Sequence, residues 1–291
     1  MSLLNAAETR QLDRLALAVS SSAAAGGPRH ARARGYGLEF EDYRQYRGGD
    51  DPRFIDWTVD ARLRQLVVRV FRAEGQIRLH LAVDVSRSMT IGTPSKLACA
   101  TKLAAALSYV AVARRDAVGL ATFDDRLRSR VRASTGKAQL FKVLDHMARI
   151  EPGGRSSLDK ALIDYATATR GPGLVIVLSD FLGMNPALDG LRYLLYRGLT
   201  PALVQILAPD DLDPDFDDDV EINDVENPSA IPFVVDAAAV RTYRERMARL
   251  STDLREFSAD NGLPSLQLAS TARFDDVLAE CLKSGLLATH A

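Results

Sequence analysis

Cysteine is nearly absent from this chain. Its 291 residues include only Cys99 and Cys281, far apart and without CxxC or Cys/His spacing, so neither a zinc site nor a disulfide framework is expected and a reducing compartment fits. Histidine is almost as scarce. His30, His80, His146 and His290 are the available imidazoles, and no Gly-x-Ser-x-Gly elbow accompanies them, which disfavours serine hydrolysis. A GxxxxGK[ST] phosphate loop is missing too, so the chain is not expected to hydrolyse nucleotides. No stretch approaches the roughly eighteen uncharged apolar residues of a membrane span. Glu8, Arg10, Asp13 and Arg14 interrupt the apolar N-terminal segment, against a secretory leader, and a cytoplasmic location is expected. Excess charge is lacking as well: 37 basic residues against 38 acidic give a net charge of -1, with no global field toward nucleic acid or an anionic membrane. Lysine does not occur before Lys96, and the arginine bias reads as composition rather than as a phosphate-binding device.

What is present suits an ordinary globular protein, with 47% hydrophobic residues in a chain long enough for one large core or two modest ones. Leu4, Leu12, Leu15, Leu17 and Val19 suggest a first helix, which the small residues of 20–27 interrupt. Residues 28–76 are rich in Arg, Asp, Gly and Tyr, with strand-like pieces at 37–40 and 66–71 around the turn signal 48–52. We read 1–76 as this helix plus a small accessory module. From Ile77 onward apolar strands alternate with amphipathic helices, the pattern of an α/β fold with a doubly wound, largely parallel sheet. Strands are expected near 77–84, 117–123, 173–179, 201–207 and 264–269. Helices are expected near 95–114, 137–149, 157–169, 187–197, 237–261 and 273–287. The stretch 209–226, dense in aspartate, reads as a solvated acidic loop. A calcium-loop register starting at Asp215 fails because Val220 stands where the turn glycine is needed.

The chemistry-bearing segment is Leu79–Met89, an apolar strand ending in Asp84-x-Ser86-x-Ser88 just before a helix. In open α/β sheets ligands collect at the carboxyl ends of strands. One carboxylate and two hydroxyls are hard oxygen donors of low total charge, suited to octahedral Mg²⁺, or Mn²⁺, that keeps part of its water. Two further segments could complete an oxygen cage: Gly153-Gly154-Arg155-Ser156-Ser157, before a helix, and the buried strand that ends at Asp180. Singly, Ser156 and Ser157 are natural helix caps and Asp180 a natural turn residue. Together, in this order at strand and helix ends, they point to a metal. An aspartyl-nucleophile phosphatase also begins at a strand end, but it needs a second acid where Ser86 stands. That leaves metal-dependent hydrolysis of phosphate esters as the alternative reading.

These residues resemble the von Willebrand factor A domain and its metal-ion-dependent adhesion site. DVSRS matches DxSxS, GGRSSLDKAL is similar to GGTxLxxAL, and LSD matches the strand that ends in the third aspartate. Ser156 replaces the family's usual threonine, keeping the hydroxyl without the stiffening methyl. The preceding string, Gly49-Asp50-Asp51-Pro52-Arg53-Phe54-Ile55-Asp56-Trp57 through Ala61-Arg62, resembles the signature of the bacterial domain of unknown function 58 family. The resemblance implies a non-enzymatic adaptor that works with a MoxR-type AAA+ ATPase or its client. It also implies Asp84 binding the ion directly or through water, Ser86 and Ser88 directly, and Ser156 and Asp180 from the second and third loops. Read by themselves, the alternating acids and arginines of 44–62, with Phe54 and Trp57, suggest an ion-paired clamp within the chain; a partner surface is the rival reading.

Overall fold

A computed structural model describes residues 8–13, 38–46, 55–57, 59, 62, 64–73, 77–182, 188–212, 214, 221–222, 233–234 and 237–286. The chain divides into two compact units, residues 1–22 with 77–288, and residues 23–76 with 289–291.

The smaller unit contains an antiparallel pair, β1 (Leu38–Gln45) and β2 (Val67–Ala73), with a bulge between Phe40 and Asp42. Ile55 bridges to Val68, and buried Asp56 accepts a hydrogen bond from the Val59 amide at 3.3 Å. Trp57, proposed from the sequence as an apolar anchor, is 62% exposed.

The larger unit is built on a six-stranded sheet. Its strands are β3 (Arg78–Asp84), β4 (Ala117–Phe123), β5 (Leu127–Ser134), β6 (Gly173–Ser179), β7 (Leu199–Leu207) and β10 (Ser265–Ala269). A two-residue pair, β8 (Glu221–Ile222) and β9 (Phe233–Val234), stands apart from it. In space the order is β10-β7-β6-β3-β4-β5, parallel except for the antiparallel β4–β5 edge. This is the doubly wound order that grows outward in both directions from its first strand, with the switch point between β3 and β6. The antiparallel edge strand was not expected from the sequence. LRSRVRAS is short and studded with arginines, which suits an edge strand that must not pair further.

The helices are α1 (Lys96–Ala113), α2 (Lys137–Ala148), α3 (Leu158–Ala168), α4 (Leu188–Tyr196), the single turn α5 (Pro209–Leu212), α6 (Ala237–Asp260) and α7 (Phe274–Lys283). Leu79, Leu81 and Val83 of β3 pack with α1, α2 and α7, whereas Ala82 packs with α3, α4 and α6 on the opposite face. Period-two alternation therefore sends Arg78, His80, Ala82 and Asp84 to the α3 side. Among the described residues α1 is the one helix long and apolar enough to cross a membrane, yet most of it is buried as the core helix against the sheet. Alanines at 100, 104, 105 and 106 let it lie close, and the Ser95 hydroxyl caps it by accepting from the Ala98 amide at 3.2 Å.

The sequence reading joined residues 1–76. In the structure the described residues 8–13 belong with the α/β unit instead, and the rest of the expected first helix lies outside the described residues. Within the helical stretch 8–13, Leu12 is wholly buried in the core that holds α1 and α7, Glu8 pairs with Lys102 at 2.5 Å, and the Tyr109 hydroxyl donates to Asp13 at 2.5 Å.

Candidate metal centre

The central strand β3 delivers Asp84 to the carboxyl edge of the sheet, fully buried. The Val85 amide still pairs with the Phe123 carbonyl at 2.8 Å, so the chain leaves the sheet only after the aspartate is fixed. Its carboxylate then organises the loop. Oδ1 accepts the Ser86 amide at 2.9 Å and Oδ2 accepts the Ser179 hydroxyl at 2.6 Å, tying β3 to β6 across the switch point. A short 3-10 turn, Arg87–Thr90, anchored by buried Met89, brings Ser88 back toward Ser86, and the two hydroxyl oxygens lie 3.1 Å apart.

That spacing tests the donor set against a metal. An octahedral ion with ligands at roughly 2.0–2.1 Å places neighbouring oxygens about 3 Å apart. The 3.1 Å contact is a hydrogen bond between the two hydroxyls as it stands, and the same separation suits adjacent vertices around Mg²⁺ or Mn²⁺, so the residues present are compatible with such an ion. Among the described residues no group of three or more His, Cys, Asp or Glu side chains could hold an ion, so hydroxyls must supply most of any protein coordination here.

The second loop is joined to the first by backbone. Gly153 N–H donates to the Val85 carbonyl at 2.8 Å and Arg87 N–H to the Gly154 carbonyl at 3.3 Å. Ser156 lies half-buried in this loop, between Gly154 and the start of α3. Gly154 has φ +81°, and a Cβ there would sit 2.8 Å from Cγ of Asp124 and closer still to its Oδ2. Asp124, itself fully buried, holds the loop through its carbonyl, which accepts the Ser157 amide at 3.1 Å, and pairs its carboxylate with Arg128.

Asp180 reaches the same edge, but its carboxylate is already engaged. Oδ2 accepts Nζ of Lys96 at 2.8 Å and Oδ1 accepts the Leu182 amide at 3.1 Å. The same Nζ donates to Asp211 Oδ2 at 2.8 Å, which also caps the turn after β7 by accepting the Ala208 amide at 2.8 Å. Asp211 is therefore a buried ion-pair partner and not part of a solvated loop; residues 213 and 215–220 of that acidic run lie outside the described residues.

The electrostatics follow from this crowding. Burial, and after it the negative charge of Asp180, push the Asp84 carboxyl up to about 7. The two aspartates hold Lys96 protonated, above its ordinary value, although burial works against the ammonium. The structure thus gathers Asp84, Ser86 and Ser88 into one cluster, docks the Ser156 loop on it by backbone, and turns Asp180 to Lys96. The sequence reading gave no role to Lys96, Ser179 or Asp124 and placed Asp211 in a solvated acidic loop. A signal for Lys96 was available, since it is the first lysine in an arginine-biased chain.

A family model described as "Protein of unknown function DUF58" matches residues 42–254. Uncharacterized proteins of Mycobacterium bovis and Mycobacterium tuberculosis are each 28% identical over 239 residues, covering 80% of this chain and 75% of theirs. Among solved structures, the conserved hypothetical protein BatB from Bacteroides thetaiotaomicron is 14% identical over 72% of this chain and 99% of its own, with a TM-score of 0.45. An aerotolerance-related membrane protein from Bacteroides fragilis is 13% identical over 71% and 96%, with a TM-score of 0.46.

Proposed function

We propose, for a chain that belongs to the family of unknown function DUF58, a non-enzymatic adaptor that uses a Mg²⁺-dependent adhesion-type site to capture a carboxylate of a protein partner. The observation that supports it most is the 3.1 Å separation of the Ser86 and Ser88 hydroxyls beside Asp84 at the switch point of the sheet. Charge argues the same way. Asp84, Asp180 and Asp211 set three carboxyl groups against the single ammonium of Lys96 in a buried region, a deficit that a divalent cation would neutralise.

In this reading Ser86 and Ser88 hold the ion directly and Asp84 from beneath, directly or through water. Ser156 contributes from the second loop. Asp180, already paired with Lys96, takes part through its field and through water. A bound Mg²⁺ would supply a Lewis-acidic position open to an incoming Asp or Glu. No second acid stands beside Asp84 in the DVSRS loop to move protons, so the residues bind and orient and do not turn over a phosphate ester.

The partner we propose, from the family resemblance of residues 49–62, is a MoxR-type AAA+ ATPase or its client, encountered in the cytoplasm. The test is co-purification of this chain with a MoxR-type AAA+ ATPase in Mg²⁺ and in chelator, for the native chain and for Ser86→Ala/Ser88→Ala. Association that needs both the metal and the hydroxyls supports the reading. Metal-independent association, or a phosphatase turnover lost in Asp84→Ala, contradicts it.

A further inference from the structure

At the opposite end of β3 from Asp84 lies a polar cavity of ≈ 500 Å³. Its lining includes Arg78, Arg130, Arg132 and Arg170, together with His80 and Thr169. Neither the proposed metal site nor the family description assigns it any role.

Four arginines on one concavity repel one another unless something compensates, and among the described residues no carboxylate pairs with any of them. Two are held in place by uncharged acceptors at the end of α3. Arg130 Nη1 donates to the Ala168 carbonyl at 2.6 Å and Arg78 Nη1 to the Arg170 carbonyl at 3.3 Å. These bonds use one donor of each guanidinium and leave the others for a ligand. Arg130 and Arg132 both come from the edge strand β5 and both line the cavity. The edge strand and the end of α3 thus bring four guanidinium-bearing residues to one concavity, two of them anchored, and guanidinium is the group suited to bidentate recognition of phosphate oxygens.

His80 adds an independent sign. It is 6% exposed, its Nδ1 is 2.6 Å from the Tyr165 hydroxyl, and its Nε2 has no partner. Burial first, then the charges of Arg78 and Arg130, lower its pKa to about 4, so the imidazole is neutral. Whichever way the proton lies between Nδ1 and the Tyr165 hydroxyl, Nε2 is a buried polar atom in need of a partner. The Gly173 backbone packs closely on this ring, since a Cβ there would lie 2.8 Å from both Cδ2 and Nε2.

We infer that this cavity is a binding site for a soluble phosphorylated small molecule carrying at least two negative charges, held by Arg78, Arg130, Arg132 and Arg170. The concavity favours a small molecule over a polymer backbone or a bilayer, and its volume is within the roughly 300–1,000 Å³ range of ligand pockets. A single inorganic phosphate would leave much of it empty.

The test is calorimetric titration of pyrophosphate at constant ionic strength into the full chain, into Arg130→Gln, and into Arg132→Gln/Arg170→Gln. The last pair is exposed, so losing it should leave the fold intact. Arg192→Gln, at an exposed site on α4, is the control. We expect saturable one-site binding, weakened roughly tenfold or more by each cavity variant and unchanged in the control, because a charge-assisted hydrogen bond is worth about that factor. Absence of saturable binding, or equal loss in Arg192→Gln, overturns the inference. A stronger response to phosphatidylglycerol vesicles than to pyrophosphate overturns it too, in favour of a lipid headgroup. None of these outcomes depends on Asp84 or on Mg²⁺, so the inference stands or falls apart from the proposed adhesion site.

Discussion

Replacing Lys96 with methionine keeps most of the side-chain volume and removes one charge. In the native chain its side chain is 0% exposed, Asp180 is 0% exposed and Asp211 is 10% exposed, with both carboxylate oxygens at 2.8 Å from Nζ. The substitution leaves two carboxylates buried with no cation between them. Breaking a buried pair in this way costs about 3–5 kcal/mol. For a unit of this size each kcal/mol lowers the melting temperature by roughly 2–4 °C, so a fall of about 6–20 °C is expected. The assay is reversible urea unfolding of the native chain, Lys96→Met, and the triple variant Lys96→Met/Asp180→Asn/Asp211→Asn. The triple variant removes the stranded charges and should recover at least half of the loss. A Lys96→Met protein within about 1 kcal/mol of native would refute the reasoning, because such a result requires the carboxylates to be hydrated or protonated at little cost.

Three further outcomes follow from the geometry. His80, held near 4 against an ordinary value of 6.5, stays neutral while the unfolded chain takes up a proton. Its contribution to stability is therefore complete above pH 6.5 and is lost as pH falls toward 4, by at most about 3 kcal/mol. Asp84, raised to about 7, acts in the opposite sense, so the quantity to measure is the difference between the native chain and His80→Leu across pH 7 to 4; a difference independent of pH contradicts the assignment. Gly154→Ala, at φ +81° and against Asp124, should destabilise by about 1–3 kcal/mol and weaken Mg²⁺ binding by displacing the Ser156 loop; unaltered melting and unaltered binding would show that the loop accommodates the methyl. Leu107→Ala, in the centre of α1 and 1% exposed, should cost about 2–5 kcal/mol in denaturant unfolding, and a cost below about 1 kcal/mol would deny the helix its place in the core.

The parallel strands were legible because a strand buried on both faces is written as an unbroken apolar run; β4 (AVGLATF) and β6 (GLVIVLS) were placed from the sequence with the bounds the structure has. Edge strand β5 was not, since LRSRVRAS carries no such run and its fold-defining partner is only the neighbouring hairpin strand. The N-terminal helical stretch could be seen as amphipathic, but an apolar stripe says that a face is buried without saying against what. Leu12 turned out to belong to the α/β core. The site divides along the same line. Asp84, Ser86 and Ser88 fall within five residues of contiguous chain, and a local motif can be read locally. The Lys96 triad joins positions 84 and 115 apart in sequence, and only the crossovers of the sheet bring them together. The arginine cavity was hidden for a related reason: its members come from two strands and a helix end, and each alone looks like a solvated charge.

The central claim is a divalent cation held by Asp84, Ser86 and Ser88, and the most direct measurement is calorimetric titration of Mg²⁺, and of Mn²⁺, into metal-free protein beside Asp84→Ala. The account predicts one saturable site in the native chain that disappears in the variant. Equal binding in both proteins, or no saturable binding in the native chain with or without its partner, would contradict it.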